Sequence, residues 1–392
     1  MTPEQEAERL RALTALRVMD TPREERFDRV VRLAQRLFDV PMVAISLLDA
    51  DRQWHKGSVG FDVRETPRTE AFCNTTIEQA GPFVVSDAAS DEGFRTNPLV
   101  TADPGVRFYA GQPLAAPGGQ RVGSLCILDS RPRDIAPAEL QLLRDLADWV
   151  ERELALEEEL VRASEVQRRL LPREPPVLPG YDVAGRCVPA RAVGGDFFDW
   201  FPLGDDLQVV LADVMGKGVA AAIIAAGVRS LVRGTSRFAT LQEAMNRAAA
   251  SLDEDLSDTG TFATLFCGRL TPATGALSYV DAGHGLTGVV RASGLLRRLV
   301  SDGLPLGVGL GGTLRAHGTR LAPGDTLVCV SDGFLDFFET SGEALVAALR
   351  IVQTSSSAAE MVESMCRLGT TEEQADDLTV VVVRRLGDGV AA

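Results

Sequence analysis

The chain has 392 residues, of which 45% are hydrophobic and 24% charged, so it has the composition of a globular protein and the length of two or three domains. Its formal net charge of −15 argues against a nucleic-acid-binding surface, because phosphate recognition depends on clustered Lys and Arg. No apolar run approaches the ~20 residues of a membrane span, and the acidic N-terminus has no apolar signal core. We therefore expect a cytoplasmic protein with no membrane partner.

In the N-terminal half, an amphipathic helix is predicted over residues 27–38, ending before Pro41. A turn at 117–119 joins the last two of the strands that follow. A helix, an antiparallel sheet and a further helix in this order indicate an α+β domain. The strand patterns lie at 42–48, 83–87, 107–110 and 122–128.

Residues 10–150 resemble a GAF sensor domain, through short strings at 16–22, 72–74, 109–111 and 123–129. These strings are typical of the fold and do not identify a ligand. The chain lacks the Asn-Lys-x-Phe-Asp-Glu string of cyclic-nucleotide-binding members. The resemblance therefore implies a sensor whose signal, a small molecule or a protein, is unidentified.

The six cysteines are scattered and include no Cys-x-x-Cys pair. Several lie inside apolar runs, which is typical of small buried thiols in a reducing compartment and not of a disulfide framework or a zinc site. Cys73 and Cys126, within the GAF-like segment, are interpreted as core thiols and not as chromophore attachment sites. The others are Cys187, Cys267, Cys329 and Cys366.

One long helix is predicted as a linker over residues 137–172, ended by Pro172. Residues seven apart form an a/d stripe that continues for four heptads, with Glu153 and Gln167 as polar interruptions. The stripe fits a helix packed on its own domain or a parallel homodimer, and the flanking Glu and Arg residues favour the dimer. Its members are Leu142, Trp149, Leu156, Ala163 and Leu170, with Leu146, Glu153, Leu160 and Gln167.

The C-terminal segment, 175–386, contains strand-like runs and two alanine-rich helices. The first of these helices, over 220–232, is apolar nearly all round and is expected to be buried. Three aspartates stand at the ends of predicted strands, and an antiparallel last strand would bring all three to the same edge of one sheet. They are Asp213 after 207–212, Asp332 after 326–330 and Asp376 before 378–383.

A fourth aspartate, Asp196, lies in a Gly-Gly-Asp-Phe-Phe-Asp string at 194–199. A single Asp in a glycine-rich junction is typical of a turn. Four of them in one half of the chain indicate convergence on a hard cation, because uncompensated carboxylates repel one another.

The whole C-terminal segment resembles, in order, the metal-dependent PPM serine/threonine phosphatases of the SpoIIE/RsbU-like branch. The resemblance implies an αββα sandwich: two antiparallel sheets flanked by helices, with two Mn²⁺ or Mg²⁺ ions at one edge. The strings that carry it lie at 193–199, 213–218, 261–266, 281–284, 303–307, 321–325, 331–333 and 376–379.

By this resemblance, Asp213 bridges both ions and the Val214 carbonyl helps to hold one of them. Asp332 and Asp376 bind the other ion, and Asp196 acts directly or through ligated water. Asp377 is the neighbour of Asp376, and an exchange of roles between the two stays open. A water acidified by the cations then attacks phosphorus in line, with no covalent enzyme intermediate.

Some positions depart from the family pattern. Eukaryotic relatives have a histidine, a proposed general acid, where this chain has Met215. His284 is the one histidine inside a matching string, and it is interpreted as structural. Arg186 or Arg191 could steady a phosphate, although each is more typical of a solvated surface charge.

The resemblance implies that the substrate is a phosphoserine or phosphothreonine on an anti-sigma-factor antagonist, a STAS-domain protein. A diguanylate cyclase is rejected because Phe197 replaces the Glu of the Gly-Gly-Asp-Glu-Phe loop. The remaining alternative is a catalytically silent phosphatase fold that binds a partner under GAF control. That alternative predicts the loss of at least one metal aspartate, and all four are present.

Overall fold

The computed structural model describes residues 1–60, 63–102, 105–237, 239–309, 312–368 and 374–387. They divide into two compact units, Met1–Arg162 and Ala163–Ala392. Across the described ranges, no helix has the length and apolar character needed to cross a membrane.

The first unit contains one antiparallel sheet. Its strands are β1 (Met42–Leu48), β2 (Arg52–Val59), β3 (Glu65–Pro67), β4 (Phe83–Val85), β5 (Phe108–Ala115) and β6 (Arg121–Asp129). They are hydrogen-bonded in the order β3-β2-β1-β6-β5-β4. The helices are α1 (Pro3–Leu16), α2 (Glu25–Phe38), α3 (Phe72–Thr76), α4 (Pro98–Thr101) and the long α5 (Pro137–Leu170), which continues into the second unit.

The two faces of this sheet carry separate cores, as the period of two along a strand requires. On β1, Val43, Ile45 and Leu47 join the core that includes α1, α2 and α5. The alternate residues Ala44 and Leu48 join a smaller core with α3. The prediction of an α+β domain is confirmed, and α1 is a helix that the sequence analysis missed.

The first half of α5 packs on its own domain through a stripe displaced by one position from the predicted a/d stripe. Leu143, Ala147 and Val150 are buried in the core of the first unit together with Leu146 of the predicted stripe, whereas Leu156 of that stripe is 54% exposed. The helix has apolar residues at both sets of positions, so sequence spacing alone could not select the buried face. The parallel dimer stays a prediction.

The second unit contains two five-stranded antiparallel sheets. The first has the order β14-β11-β10-β9-β8 and the second the order β13-β12-β15-β16-β7. The bounds are β7 (Tyr181–Val188), β8 (Phe197–Leu203), β9 (Asp206–Val214), β10 (Ala263–Thr271), β11 (Ala276–Ala282), β12 (Thr287–Val290), β13 (Leu296–Arg298), β14 (His317–Arg320), β15 (Thr326–Val330) and β16 (Leu378–Arg385).

Helices cover the outer faces of both sheets. They are α6 (Val219–Thr235), α7 (Leu241–Asp258), α8 (Ser341–Thr354) and α9 (Ala358–Arg367). The first pair packs on the first sheet and the second pair on the second, while a third core fills the space between the sheets. This is the αββα sandwich that the resemblance implied.

Two predictions for this half were wrong in detail. Helix α6 buries only one face, through residues such as Ala225 and Val228, and Ile223 on the other side is 67% exposed. The aspartates also do not share one sheet, because β9 lies in the first sheet and β15 and β16 in the second. Strands β15 and β16 are antiparallel neighbours as predicted. Which sheet a strand joins depends on long-range pairing, which local patterns do not encode.

Candidate metal centre

Strand alternation places Asp196 and Asp213 toward the space between the two sheets. On β9, Leu207, Val209 and Leu211 belong to the core between the sheets, and Asp213 continues this series at the end of the strand. Asp196 immediately precedes β8, whose Phe197 pairs with Ala212 of β9. The first sheet therefore brings these two carboxyl groups to neighbouring positions.

The second sheet contributes Asp332 and Asp376. Asp332 follows β15 and opens a 3-10 turn, Asp332–Phe337, whereas Asp376 precedes β16. The Ser331 hydroxyl connects the two strand ends, because it donates to the Asp377 carbonyl oxygen at 3.1 Å and accepts from the Thr379 amide at 2.8 Å. The four aspartates thus come from strand ends of two opposed sheets.

Asp377 holds the loop that carries Asp196. Its Oδ1 accepts a hydrogen bond from the Ala190 amide at 2.8 Å, and its Oδ2 accepts one from the Gly195 amide at 2.6 Å. A Cβ at Gly194 would overlap the Asp377 carboxylate, so only glycine permits this approach. Both oxygens of Asp377 accept amides of this loop, whereas Asp376 accepts only the amide of Asp377 and pairs with the Lys217 side chain, which favours Asp376 as the direct ligand of the pair.

Asp196 is the most unusual carboxyl group of the site. It is 2% exposed, and neither of its carboxylate oxygens makes a hydrogen bond. Burial, reinforced by the negative charge of Asp213, raises its pKa well above the ordinary range. A buried carboxyl group without a partner is costly, and a cation would satisfy it.

The neighbouring carboxyl groups show the same electrostatic tension. Burial, together with the charges of Asp332 and Asp376, raises the pKa of Asp213 to about 7. Burial and the charge of Asp376 also raise the pKa of Asp332. These groups are close enough to repel one another, and divalent cations would remove that repulsion.

Lys217 supplies a positive charge at this site. Its ammonium group lies 3.1 Å from Asp376 Oδ2 and also donates to the Ala375 carbonyl oxygen. The chain contains only two lysines, Lys56 and Lys217, and otherwise uses arginine for its positive charges. A lysine ammonium is a compact point charge, which suits a position beside a carboxylate that would ligate a metal.

The donor set fits Mg²⁺ or Mn²⁺, which prefer carboxylate and carbonyl oxygens. Within the described ranges, no three His, Cys, Asp or Glu side chains already form a metal-holding group. The fit therefore rests on the unpartnered Asp196 carboxylate and on the mutual repulsion of its neighbours. Val214, the other predicted contributor, ends β9 beside Asp213, and its amide donates to the Gly195 carbonyl oxygen at 3.4 Å.

The structure separates the other candidate residues from this group. His284 is 8% exposed with its Nε2 3.4 Å from Cys329 Sγ, and burial lowers its pKa to about 4, in agreement with a structural role. Arg186 and Arg191 are exposed, and Arg186 acts electrostatically on Glu363 of α9. Neither arginine has a contact that supports phosphate binding.

Gln167, near the end of α5, contacts the aspartate loop directly. Its Nε2 donates to the Gly194 carbonyl oxygen at 2.6 Å and its Oε1 accepts from the Gly194 amide at 3.1 Å. The heptad spacing identifies Gln167 only as a polar interruption of the stripe. A polar side chain in an otherwise apolar stripe indicates that Gln167 has a special role, but no local sequence pattern identifies Gly194 as its partner.

A helix-covered sandwich with four aspartates at the strand ends defines a phosphatase fold of the PPM class. Residues 204–386 match the family model of stage II sporulation protein E, SpoIIE, and residues 22–154 match that of the GAF domain. The chain therefore combines a GAF domain with a SpoIIE-type phosphatase domain. Asp196 lies just before the matched SpoIIE segment.

Three known proteins illustrate the similarity. A cyclic di-GMP phosphodiesterase of Pseudomonas aeruginosa is 40% identical over 149 residues, which are 38% of this chain and 25% of that protein. The phosphoserine phosphatase RsbU of Bacillus subtilis is 25% identical over 260 residues, 64% of this chain and 75% of RsbU. The SiaA-PP2C domain of Pseudomonas aeruginosa has a TM-score of 0.51 at 21% identity, covering 59% of this chain and 98% of that domain.

These similarities have defined limits. The chain spans only about a quarter of the length of the phosphodiesterase that it matches. At 21% identity, the SiaA domain shows a shared fold and no more. The activity, substrates and partners of this chain are therefore matters for proposal.

The raised pKa of Asp213 has a consequence for stability in metal-free protein. A carboxyl group whose pKa is about 7 when folded and 3.8 when unfolded binds more protons in the folded state, so its contribution to the unfolding free energy falls as pH rises between these values. Asp213→Asn should therefore stabilise EDTA-treated protein more at pH 7.5 than at pH 5. Denaturant unfolding of both proteins at both pH values measures this.

The comparison with wild type removes the opposite contribution of buried His284, which is common to both proteins. Mn²⁺ should reverse the ranking at pH 7.5, because the cation stabilises the carboxylate and not the amide. A stabilisation by Asp213→Asn that is equal at both pH values would contradict the electrostatic account.

The Lys217–Asp376 ion pair makes a second prediction. Lys217→Met should strengthen Mn²⁺ binding about two- to fivefold, because a half-exposed ion pair of about 0.5–1 kcal/mol no longer competes for Asp376. Isothermal titration calorimetry measures the affinity. Lys217→Arg keeps the charge and serves as the matched control, with no gain expected. Weaker binding by Lys217→Met would show that the ammonium assists the cation.

Proposed function

We propose that this protein is a metal-dependent serine/threonine phosphoprotein phosphatase controlled by its GAF domain. The observation that carries the proposal is the buried Asp196 carboxylate without a hydrogen-bond partner, set among three further aspartates at strand ends. The match of residues 204–386 to the SpoIIE family supports the same reaction class.

Asp213, the Val214 carbonyl, Asp332 and Asp376 would hold two Mn²⁺ or Mg²⁺ ions, with Asp196 acting directly or through water. When bound, such cations supply an activated water nucleophile and neutralise charge on the phosphoryl oxygens. The chain's own part is to hold these carboxylates in place. Asp377 does this by accepting the backbone amides of the 190–196 loop, so we assign it positioning and Asp376 ligation.

Among the residues that the structure describes, neither Met215 nor His284 is placed to replace the histidine of eukaryotic relatives. Met215 is 43% exposed at the corresponding position, and His284 is buried away from solvent beside Cys329. We propose that solvent water protonates the leaving serine or threonine oxygen.

The substrate we propose is a phosphorylated protein, with an anti-sigma-factor antagonist of the STAS type as the first candidate. RsbU, 25% identical over 260 residues, is named as a phosphoserine phosphatase, which supports a phosphoserine side chain. The net charge of −15 supports a partner other than nucleic acid, and the role we propose is cytoplasmic signalling. A catalytically silent binding module is the alternative, and the retention of all four aspartates speaks against it.

Control by the GAF domain would act through α5. The Gln167 amide makes two hydrogen bonds with Gly194, which lies two residues from Asp196. A rotation or shift of the end of α5 would therefore move the loop that carries a metal aspartate. A homodimer formed along the exposed stripe of α5 would be one way to set that rotation.

Release of phosphate tests the enzyme. Full-length protein should hydrolyse p-nitrophenyl phosphate and a phosphoserine peptide with Mn²⁺ and not with EDTA. Asp332→Asn should lose more than about 100-fold in turnover, since even outer-shell partners of metal ligands cost about 10–100-fold. Asp255→Asn, an exposed change on α7, is the matched control and should keep wild-type activity. Metal-independent turnover, or full activity of Asp332→Asn, would overturn the proposal. Absence of both turnover and Mn²⁺ binding would favour the binding module.

An insertion in α5 tests the coupling. Four residues inserted after Arg162 rotate the C-terminal part of the helix relative to the N-terminal part, so basal phosphate release should change. Seven inserted residues restore the heptad phase and should leave activity closer to wild type. Equal activity for wild type and both insertions would show that α5 does not transmit a signal.

A further inference from the structure

Two cysteines of the first unit lie in direct contact. Cys73 is on α3 and Cys126 is on β6, 53 positions later in the chain, and their Sγ atoms are 3.8 Å apart. Each residue is only 2% exposed. The sulfur atoms would have to approach by a further ~1.8 Å to reach a disulfide length of about 2.05 Å.

Polar groups surround this pair within an otherwise apolar core. The Tyr109 hydroxyl donates to Cys73 Sγ at 3.5 Å. The Cys126 thiol donates to the Ala44 carbonyl oxygen at 3.5 Å, and the Ser46 hydroxyl lies 3.9 Å from Cys126 Sγ. Cys73 thus accepts from Tyr109 and donates to Cys126, whereas Cys126 donates to the backbone.

This asymmetry makes the two thiols chemically different. The contact with Cys126, reinforced by the Tyr109 hydroxyl, lowers the pKa of Cys73 below that of an ordinary thiol. The interaction with Cys73 and burial raise the pKa of Cys126. Thiolate character determines nucleophilicity, so Cys73 is the member suited to attack and Cys126 the member suited to resolve.

Three other thiols have different partners. Cys187 donates to the Asp196 carbonyl oxygen, Cys267 accepts from Gln208, and Cys329 lies beside Thr287 and His284. Burial raises the pKa of all three. Of the thiols with described contacts, Cys73 and Cys126 are the pair that touches sulfur to sulfur.

We propose that Cys73 and Cys126 form a reversible, peroxide-oxidisable thiol pair within the GAF domain. The assignment rests on the contact between their sulfur atoms and on their different hydrogen-bond partners, and it is independent of the phosphatase function. Hydrogen peroxide, or an organic hydroperoxide of similar size, is the oxidant class, because a small neutral molecule can reach a buried pair through local opening of short helices such as α3.

The reaction balances in two steps. The Cys73 thiolate attacks one peroxide oxygen, the O–O bond breaks, and Cys73 becomes a sulfenic acid while the departing hydroxide takes up the proton that the thiol released and leaves as water. Cys126 then attacks the Cys73 sulfur, the S–O bond breaks, and a second water leaves as the disulfide forms. The two thiols lose two electrons to the peroxide, and an external dithiol reverses the process.

A disulfide here would join α3 to a central strand of the sheet. Phe72, adjacent to Cys73, stacks on Phe94 and on Tyr109, with ring centroids 4.3 and 5.0 Å apart. Shortening the contact between the two sulfur atoms would therefore shift α3 and the aromatic residues packed on it. Oxidation would therefore alter the packing of the smaller of the two cores of the first unit.

The test is thiol counting and peptide mapping on the full chain after stoichiometric hydrogen peroxide. In wild type, the number of free thiols measured in denaturant should fall by two from six, and non-reducing mass spectrometry should find the Cys73 and Cys126 peptides joined. Dithiothreitol should restore all six thiols. Cys126→Ser should instead accumulate a dimedone-reactive sulfenic acid at Cys73, because the resolving thiol is missing.

Cys267→Ser, a buried change in the other unit, is the matched control and should form the same disulfide as wild type. Because the disulfide is also mapped in wild-type protein, the test does not depend on the folding of a variant. Retention of six thiols in wild type, or a disulfide joining any other pair of cysteines, would overturn the proposal. Equal sulfenic acid yield at Cys73 in wild type and Cys126→Ser would also overturn it, since Cys126 would then not resolve the intermediate.

Discussion

The fold of the second unit places four carboxyl groups near one another, and the rest of the unit has to compensate for the repulsion between them. Asp196, Asp213, Asp332 and Asp376 meet where two sheets end, and burial and mutual repulsion raise the pKa values of the first three. Packing between the sheets, through residues such as Phe266 and Val381, has to offset that repulsion. A site that is unfavourable in this way has a strong preference for cations, which links the stability of the sandwich to its proposed chemistry.

Hydrogen bonds to backbone groups fix the loops and strand ends that carry the aspartates. Asp377 accepts amides of the loop before β8, and Ser331 joins the ends of β15 and β16. The contacts of Asp377 position Asp196 without using the carboxylate oxygens of Asp196 itself. Adjacent residues thus have different surroundings: Asp377 accepts backbone amides, whereas Asp376 pairs with the Lys217 side chain.

In the first unit, too, the surroundings of a side chain determine its chemical character. Cys73 and Cys126 are both small buried thiols, yet one accepts from Tyr109 and the other donates to a carbonyl oxygen. Helix α5 begins in this unit, and near its end it carries Gln167, which is hydrogen-bonded to Gly194 of the second unit. In each unit the chemical character of such a polar group depends on its hydrogen-bond partners.

Local patterns in the sequence determined much of this protein. Strand alternation and turn residues predicted β1, β9, β15 and β16 within one or two residues, and ordered strings indicated both domain families and the four aspartates. Tertiary structure alone decided that β9 and β15 belong to opposed sheets, that α5 buries Leu143 and not Leu156, and that Asp377, Lys217 and Gln167 contact the site. The reason is physical: periodicity reports which residues share a face, whereas the partner of that face is selected by packing and hydrogen bonds between residues far apart in the chain.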